Sequence, residues 1–279
     1  MVKPDQAVVL RRYRMGKWET VPAKVIGEAS VTLTVNGEPW LGLMCTPIDL
    51  EALAVGFLVN EGLLHELDEI VSVRVCPTGD NVDVWLNHAV EKPVNWRRTS
   101  GCTGGMTSIE LQNPFSLPAA EKPLNPQKLL SFMGMLYETQ SLYKEMGGVH
   151  TSAICNGETI VLMTEDVGRH NTLDKLAGRM LLEQIRVNPL MVLTTGRISS
   201  EMLQKAARLG ATIVASRTSP TSLSVQLAEL WNITLIGYAR RDQFTIYAHP
   251  ENIELGADGG YLSVLASANL IENRTAMGD

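Results

Sequence analysis

The sequence predicts an α/β fold, α+β when taken over the whole chain, with a smaller strand-rich amino-terminal domain ahead of a three-layer carboxy-terminal one. Three observations carry this. Asn36-Gly37 joins two apolar, strand-like runs, residues 30–35 and 40–45, and both turn residues tolerate positive φ, the mark of a β-hairpin. From residue 149 a second hairpin signal, Asn156-Gly157, is followed by helical and strand patterns in regular alternation. Between the two regions the periodicity disappears in a stretch rich first in glycine and then in proline.

Residues 1–96 are assigned to the amino-terminal domain. Pro47-Ile48-Asp49 opens the run LEALAVGFLVNEGLL, whose apolar residues recur at helical spacing. Strands are expected over residues 70–76 and 82–86, separated by Pro77-Thr78-Gly79-Asp80. Residues 97–126 form the connecting loop, with Gly101, Gly104 and Gly105 close together and Pro114, Pro118, Pro123 and Pro126 behind them. A helix over residues 127–146 enters the second domain, 127–279. Its strands are expected at 149–155, 158–163, 190–195, 211–216, 233–238 and 244–248, with helices at 168–185, 199–209 and 222–230. A hairpin followed by such alternation places a sheet between helices. The β-β-α-β-α-β-α-β order is similar to that of the cytidine-deaminase-like fold.

Composition narrows the function. Hydrophobic residues make up 45% and charged ones 19%, an ordinary globular balance. A formal charge of -6 argues against a general nucleic-acid binder, although a local basic patch could still hold a nucleotide. No stretch approaches the ~20 apolar residues of a membrane helix. The amino terminus lacks the apolar run and cleavage site of a secretory signal, so a cytoplasmic protein without membrane or nucleic-acid partners is expected. Cys45, Cys76, Cys102 and Cys155 form no CxxC pair, which suits neither a zinc ribbon nor a disulfide framework.

Four segments can support chemistry. Cys102 sits in the glycine-rich loop, where a thiolate would be accessible and where Arg97 and Arg98 are near in sequence; a chance linker cysteine is the equal alternative. Thr164-Glu165-Asp166-Val167-Gly168-Arg169-His170-Asn171 falls at a strand-to-helix junction, where anions bind readily. Arg169 could clamp an anion and His170 carry a proton there, or the cluster could be a capping network, which elementary physics slightly favours. Thr195-Gly196-Arg197-Ile198-Ser199 and Ser216-Arg217-Thr218 are two more strand–loop–helix junctions able to form a phosphate-binding rim, with Ser199 and Ser222 equally suited to helix capping. Tyr238-Ala239-Arg240-Arg241-Asp242-Gln243 could stack on a purine and pair with phosphate, or be a charged turn. Neither GxxxxGK[ST] nor GxGxxG occurs, so no standard ATP or NAD site is supported. A zinc deaminase would need H-x-E and P-C-x-x-C; His150-Thr151-Ser152 lacks the glutamate and the second motif is absent. No metal site is expected.

EDVGRHNTLDKL, with GFLVNEGLL upstream and GRISSEMLQKAARLG downstream, resembles the FdhD/NarQ family of formate dehydrogenase accessory sulfurtransferases, in the right order from about residue 29 to residue 250. The resemblance implies a carrier that takes sulfane sulfur from a cysteine desulfurase and delivers it to a molybdenum cofactor. That cofactor is the bis(molybdopterin guanine dinucleotide) form, sulfurated before insertion into formate dehydrogenase. The family's persulfide-forming cysteine falls on Cys102 and its cofactor segment on residues 238–243, with GDP or GMP as the expected mimic. Two departures stand out. Some members have C-x-x-C where this chain has Gly105, which leaves Cys102 to hold a persulfide alone. Familiar members have Lys-Pro-Gly-Arg where this chain has Arg240-Arg241-Asp242-Gln243. Two other readings remain: a cysteine hydrolase using His170 or His150 as base, and a non-catalytic cofactor chaperone. A homodimer would suit so large a cofactor.

Overall fold

The computed structural model describes residues 2–94, 96–98, 106–107, 117–118 and 122–254. Strands β1 (Asp5–Arg14) and β2 (Lys17–Ile26) form a long antiparallel ribbon that turns at Met15-Gly16, both at positive φ. Sequence patterning starts the first strand at residue 30 and misses this ribbon. Its apolar residues are distributed over both faces among arginines and lysines, and no Asn-Gly marks its turn. The expected hairpin follows as β3 (Ala29–Val35) and β4 (Glu38–Cys45), with Asn36 and Gly37 at positive φ. Helix α1 (Leu50–Asn60) and strands β5 (Ile70–Val75) and β6 (Asn81–Leu86) complete a lobe whose four-stranded sheet runs β4-β3-β6-β5, with β3 and β6 parallel. Val31, Leu33, Val84, Leu53, Phe57 and Leu58 are buried between sheet and helix. Each is worth roughly 1.5–3 kcal/mol when removed from water.

Two short strands, β7 (Arg97–Arg98) and β8 (Met106–Thr107), pair antiparallel. Cys102 stands between them in sequence and lies outside the described residues, as do Gly101, Gly104 and Gly105.

Beyond them come α2 (Pro126–Thr139), α3 (Ser141–Met146), β9 (His150–Cys155), β10 (Ile160–Asp166), α4 (Arg169–Leu182), β11 (Met191–Thr194), α5 (Ser200–Arg208), β12 (Ile213–Ser216), α6 (Ser222–Trp231), β13 (Thr234–Arg240) and β14 (Gln243–Ala248). The sheet order is β10-β9-β11-β12-β13-β14; β11, β12 and β13 are parallel, and β9 is antiparallel to β11. Leu129, Phe132, Met133 and Leu136 of α2 pack on one face, while α4, α5 and α6 cover the other through Leu176, Leu203 and Trp231. These are the three layers that the α/β reading requires, with a strand order that the alternation alone does not determine. The single helix expected over residues 127–146 is broken at Gln140. The Glu165 carboxylate accepts hydrogen bonds from the backbone amides of Ser141, Leu142 and Tyr143 and so starts a new helix there. Among the described residues no helix is long and apolar enough to cross a membrane.

The two lobes meet where α1 crosses α4. Glycine makes the crossing close: a Cβ on Gly56 would overlap the Asp174 carbonyl, and one on Gly178 would overlap the Ala52 carbonyl. A buried polar seam runs beside this contact. Lys175 Nζ lies 2.7 Å from Asp166 Oδ2, both fully buried, and donates to the carbonyls of Thr46 and Glu165. Asp166 also accepts from the backbone amides of Thr46 and Gly168 and from Asn171, whose amide reaches the Met44 carbonyl. Asp174 is held by Lys205 and Asn60.

Candidate functional site

The carboxyl ends of β10, β11, β12 and β13 and the amino terminus of β9 lie along one edge of the large sheet. In an open α/β sheet this edge is where ligands collect, because loops and helix amino termini converge there. Direct contacts tie its segments into one rim. Gly196 has no side chain because Arg169 Cβ would lie 3.0 Å and His150 Nδ1 3.5 Å from any Cβ placed there. Ser216 Oγ donates to the Gly196 carbonyl at 2.6 Å, the Arg217 amide donates to the Thr194 carbonyl, and the Tyr238 amide donates to the Thr218 carbonyl.

At the β12–β13 end the rim opens into a groove of about 550 Å³ lined by Tyr137, Arg217, Arg240, Arg241, Asp242 and Gln243. The Arg217 guanidinium lies 5.1 Å from the centre of the Tyr137 ring, and that of Arg240 lies 5.8 Å from the centre of Tyr238. These are cation–π distances. A one-residue bulge in β13 shapes the wall. Gly237 pairs with Thr245 and Arg240 with Gln243, so β13 carries an extra residue and Tyr238 adopts positive φ. Tyr238 and Arg240 are thereby turned outward, while Ala239 is buried in the core against α2 and offers the groove only backbone. Burial pushes the Tyr137 hydroxyl up to about 12, against the pull of Arg217 and Arg240. That hydroxyl has no hydrogen-bond partner among the described residues. The groove thus has three arginines for an anion, two aromatic faces for a planar ring and an unused hydroxyl donor. Arg217 was recognisable in the sequence only as part of a junction. Tyr137 was missed, because it comes from a helix on the far side of the chain order and looks like an ordinary core aromatic.

The other end of the rim differs. Glu165 caps α3, and Asp166, Asn171, Asp174 and Lys175 belong to the interlobe seam, so most of the EDVGRHNTLDKL string has a structural task. Arg169 and His170 are buried at the start of α4. Burial, with Lys205, Arg169 and His150 adding positive charge, holds His170 well below the usual imidazole range, so it is neutral. His150 is lowered by burial and by Arg169. Arg197 is exposed, and Ser199 caps α5 by accepting from the Met202 amide at 3.4 Å. The cap of α6 is Thr221, with Ser224 completing a capping box, where Ser222 was the sequence candidate.

Burial pushes the Cys45 and Cys155 thiols up to about 12, which leaves neither as a nucleophile. Cys76 occupies the β5–β6 turn, where the Thr78 hydroxyl leads in lowering its thiol. Trp96, just before β7, packs on Phe57 at 5.9 Å, and Phe57 in turn takes Lys205 Nζ at 5.7 Å over its ring. The segment leading to Cys102 is therefore rooted at the interlobe seam. A larger cleft of about 770 Å³ lies by the carboxyl ends of α4 and α5. Its lining sets Glu66 and Asp68 against Arg186 and Arg208 beside helix carboxyl ends, so it lacks the cationic excess of the β13 groove. Among the described residues no His, Cys, Asp and Glu cluster could hold a metal ion.

Fold and rim define a two-lobed α/β protein with a cationic, aromatic groove at the strand ends. Residues 26–254 match the model of the FdhD/NarQ family. The chain is 35% identical over 248 residues to the sulfur carrier protein FdhD of Bacillus subtilis, covering 87% of this chain and 95% of that one. The FdhD protein of Staphylococcus aureus strain MRSA252 is equally similar, at 35% over 248 residues, covering 87% of this chain and 94% of that one. A crystal structure of a formate dehydrogenase accessory protein from Desulfotalea psychrophila superposes with a TM-score of 0.76 at 30% identity, covering 90% of this chain and all of the other. The chain belongs to the FdhD/NarQ family.

Proposed function

We propose that this protein is a sulfur carrier serving formate dehydrogenase, with Cys102 as the carrying thiol and the groove as the seat of a guanine-nucleotide-bearing cofactor. The groove carries the reading. Arg217, Arg240 and Arg241 beside Tyr137 and Tyr238 supply what a phosphorylated purine requires, phosphate donors beside flat apolar faces. The relatives named sulfur carrier protein supply the sulfur half of the proposal.

In this scheme the Cys102 thiolate attacks the outer sulfur of a cysteine desulfurase persulfide. A Cys102 S–S bond forms, the donor's S–S bond breaks, and the donor leaves as a thiolate, so no external oxidant is needed. The substrate is the molybdenum bis(molybdopterin guanine dinucleotide) cofactor, its nucleotide end held by Tyr238, Arg240 and Arg241. Arg169, His170, Arg197 and Ser199 line the remainder of the rim toward α4. The cofactor, as acceptor, would supply the electron pair that bonds the outer, sulfane sulfur; the Cys102 S–S bond breaks as that bond forms, and Cys102 leaves as a thiolate.

Mass spectrometry after incubation with desulfurase and cysteine tests the first half. The expected result is one added sulfur, about 32 Da, on wild type and on Cys76→Ser but absent from Cys102→Ser. An adduct that persists in Cys102→Ser overturns the assignment. Titration with GDP tests the second half, and wild-type binding unchanged in an Arg240→Ala/Arg241→Ala variant removes the groove from it.

A further inference from the structure

The groove at the β13–β14 turn contains a group that an anion site does not need. Among the described residues its lining has three arginines and a single carboxylate, that of Asp242. Arg240 pairs with Gln243 across the strands, so Arg241 and Asp242 form the two-residue tip of the turn, with Arg241 at positive φ. Asp242 is exposed there. Among the described residues its carboxylate makes no ion pair or hydrogen bond with any of the three arginines. An acid held beside three guanidinium groups without pairing to them weakens the field that draws phosphate in. Familiar members of the family have glycine at this position, so the carboxylate is a contact that this chain adds.

The chemistry of the bases indicates what it serves. Arginine offers only donors and an ionised carboxylate only acceptors. Phosphate uses the first and has no use for the second. The Watson–Crick edge of guanine presents two adjacent donors, N1–H and the N2 amino group, spaced like the two oxygens of a carboxylate. Adenine presents an acceptor, N1, at the same place, and a carboxylate facing it sets lone pair against lone pair. The side-chain amide of Gln243 is the other acceptor in the lining, but it is neutral and carries a donor as well, so it discriminates less.

We propose that Asp242 is the specificity-determining residue of the groove: its carboxylate accepts from N1–H and the N2 amino group of guanine and turns adenine away. The inference rests on the reading of the groove as a nucleotide seat and adds the residue that reads the base. In this arrangement the base lies against Tyr238 with its edge toward the tip of the turn. The phosphates run toward Arg217 and the Tyr137 hydroxyl, which has a hydrogen to donate.

Calorimetric titration of the full chain with GDP, ADP, inosine diphosphate and xanthosine diphosphate tests the assignment on wild type, Asp242→Asn and Asp242→Ala. Wild type is expected to bind GDP roughly tenfold or more tighter than ADP, and also tighter than inosine diphosphate, which lacks the N2 amino group. Asp242→Asn keeps a turn-forming residue but exchanges one acceptor for a donor. It should lose the preference for GDP and gain affinity for xanthosine diphosphate, whose C2 carbonyl accepts from the new amide. Asp242→Ala should lose the preference without that gain. Removal of the negative charge strengthens diphosphate binding in general, so the ratio between bases is the readout. A role in charge or in turn structure alone leaves that ratio unmoved. Wild type that binds GDP and ADP alike, or a GDP preference that survives both substitutions, overturns the inference while leaving the groove as a nucleotide seat. Wild type that binds none of the four removes the seat, and the inference with it.

Discussion

The two ends of the strand-end rim use charge in opposite ways. At the α4 end, charge is sealed: Asp166, Lys175, Asp174 and Lys205 are buried, and each is matched by a partner of opposite sign. At the β13 end, charge is displayed: Arg217, Arg240 and Arg241 are exposed beside aromatic rings. The sealed end joins the lobes, whereas the displayed end has unfilled bonding capacity. The segment most distinctive in sequence is therefore largely architectural, and the segment best suited to a ligand is far less distinctive.

The largest expected effect comes from breaking the sealed end. Lys175→Ala leaves Asp166 buried without its cation, and such a loss costs about 3–5 kcal/mol. Urea denaturation should show it as a lower midpoint, while Lys175 and Asp166 replaced together by apolar residues should recover much of the stability. Gly178→Ala should cost about 1–3 kcal/mol by the same measurement, because the new methyl group meets the Ala52 carbonyl. At the displayed end the pattern inverts. Arg240→Ala/Arg241→Ala should change stability by no more than about 0.5 kcal/mol, yet weaken GDP binding roughly tenfold or more, as expected when charge-assisted hydrogen bonds are lost.

A pH titration sharpens the comparison with a smaller effect. His170 and His150 both titrate below the ordinary 6.5 because burial disfavours their charged forms. The unfolded chain then binds more protons than the folded one below about pH 6.5. Their stabilising contribution is complete above that pH and lost as pH falls toward the folded values. The melting temperature should fall on acidification, and His170→Gln should flatten the slope by up to about one proton. GDP binding should also weaken on acidification, but through the ligand, because the terminal phosphate takes up its second proton at about pH 6 while the arginines stay charged.

Much of the fold is legible in the sequence for identifiable reasons. Asn36-Gly37 and Asn156-Gly157 announce their hairpins because turn chemistry is local. The alternation after residue 149 is legible because each element buries one continuous face. The break at Gln140 is not, since it depends on a carboxylate from Glu165, which is distant in sequence. The β1–β2 ribbon is missed because its apolar residues serve neither a core nor a single face. For the site, Arg240 and Arg241 announce themselves as paired charges. Tyr137 joins them only through tertiary packing that no local pattern records.

The bulge in β13 has a consequence for how such proteins diverge. A single extra residue between Gly237 and Arg240 decides which side chains face outward, and a second register shift, between Leu235 and Ile236, offsets it deeper in the ladder. Insertion or deletion of one residue in the turn from Arg240 to Gln243 would move the outward side chains while leaving Ala239 and the ladder beneath in place. Ligand preference can then drift by small changes in chain length at one strand end, uncoupled from stability. That is a plain route by which this segment can vary while the scaffold below it persists.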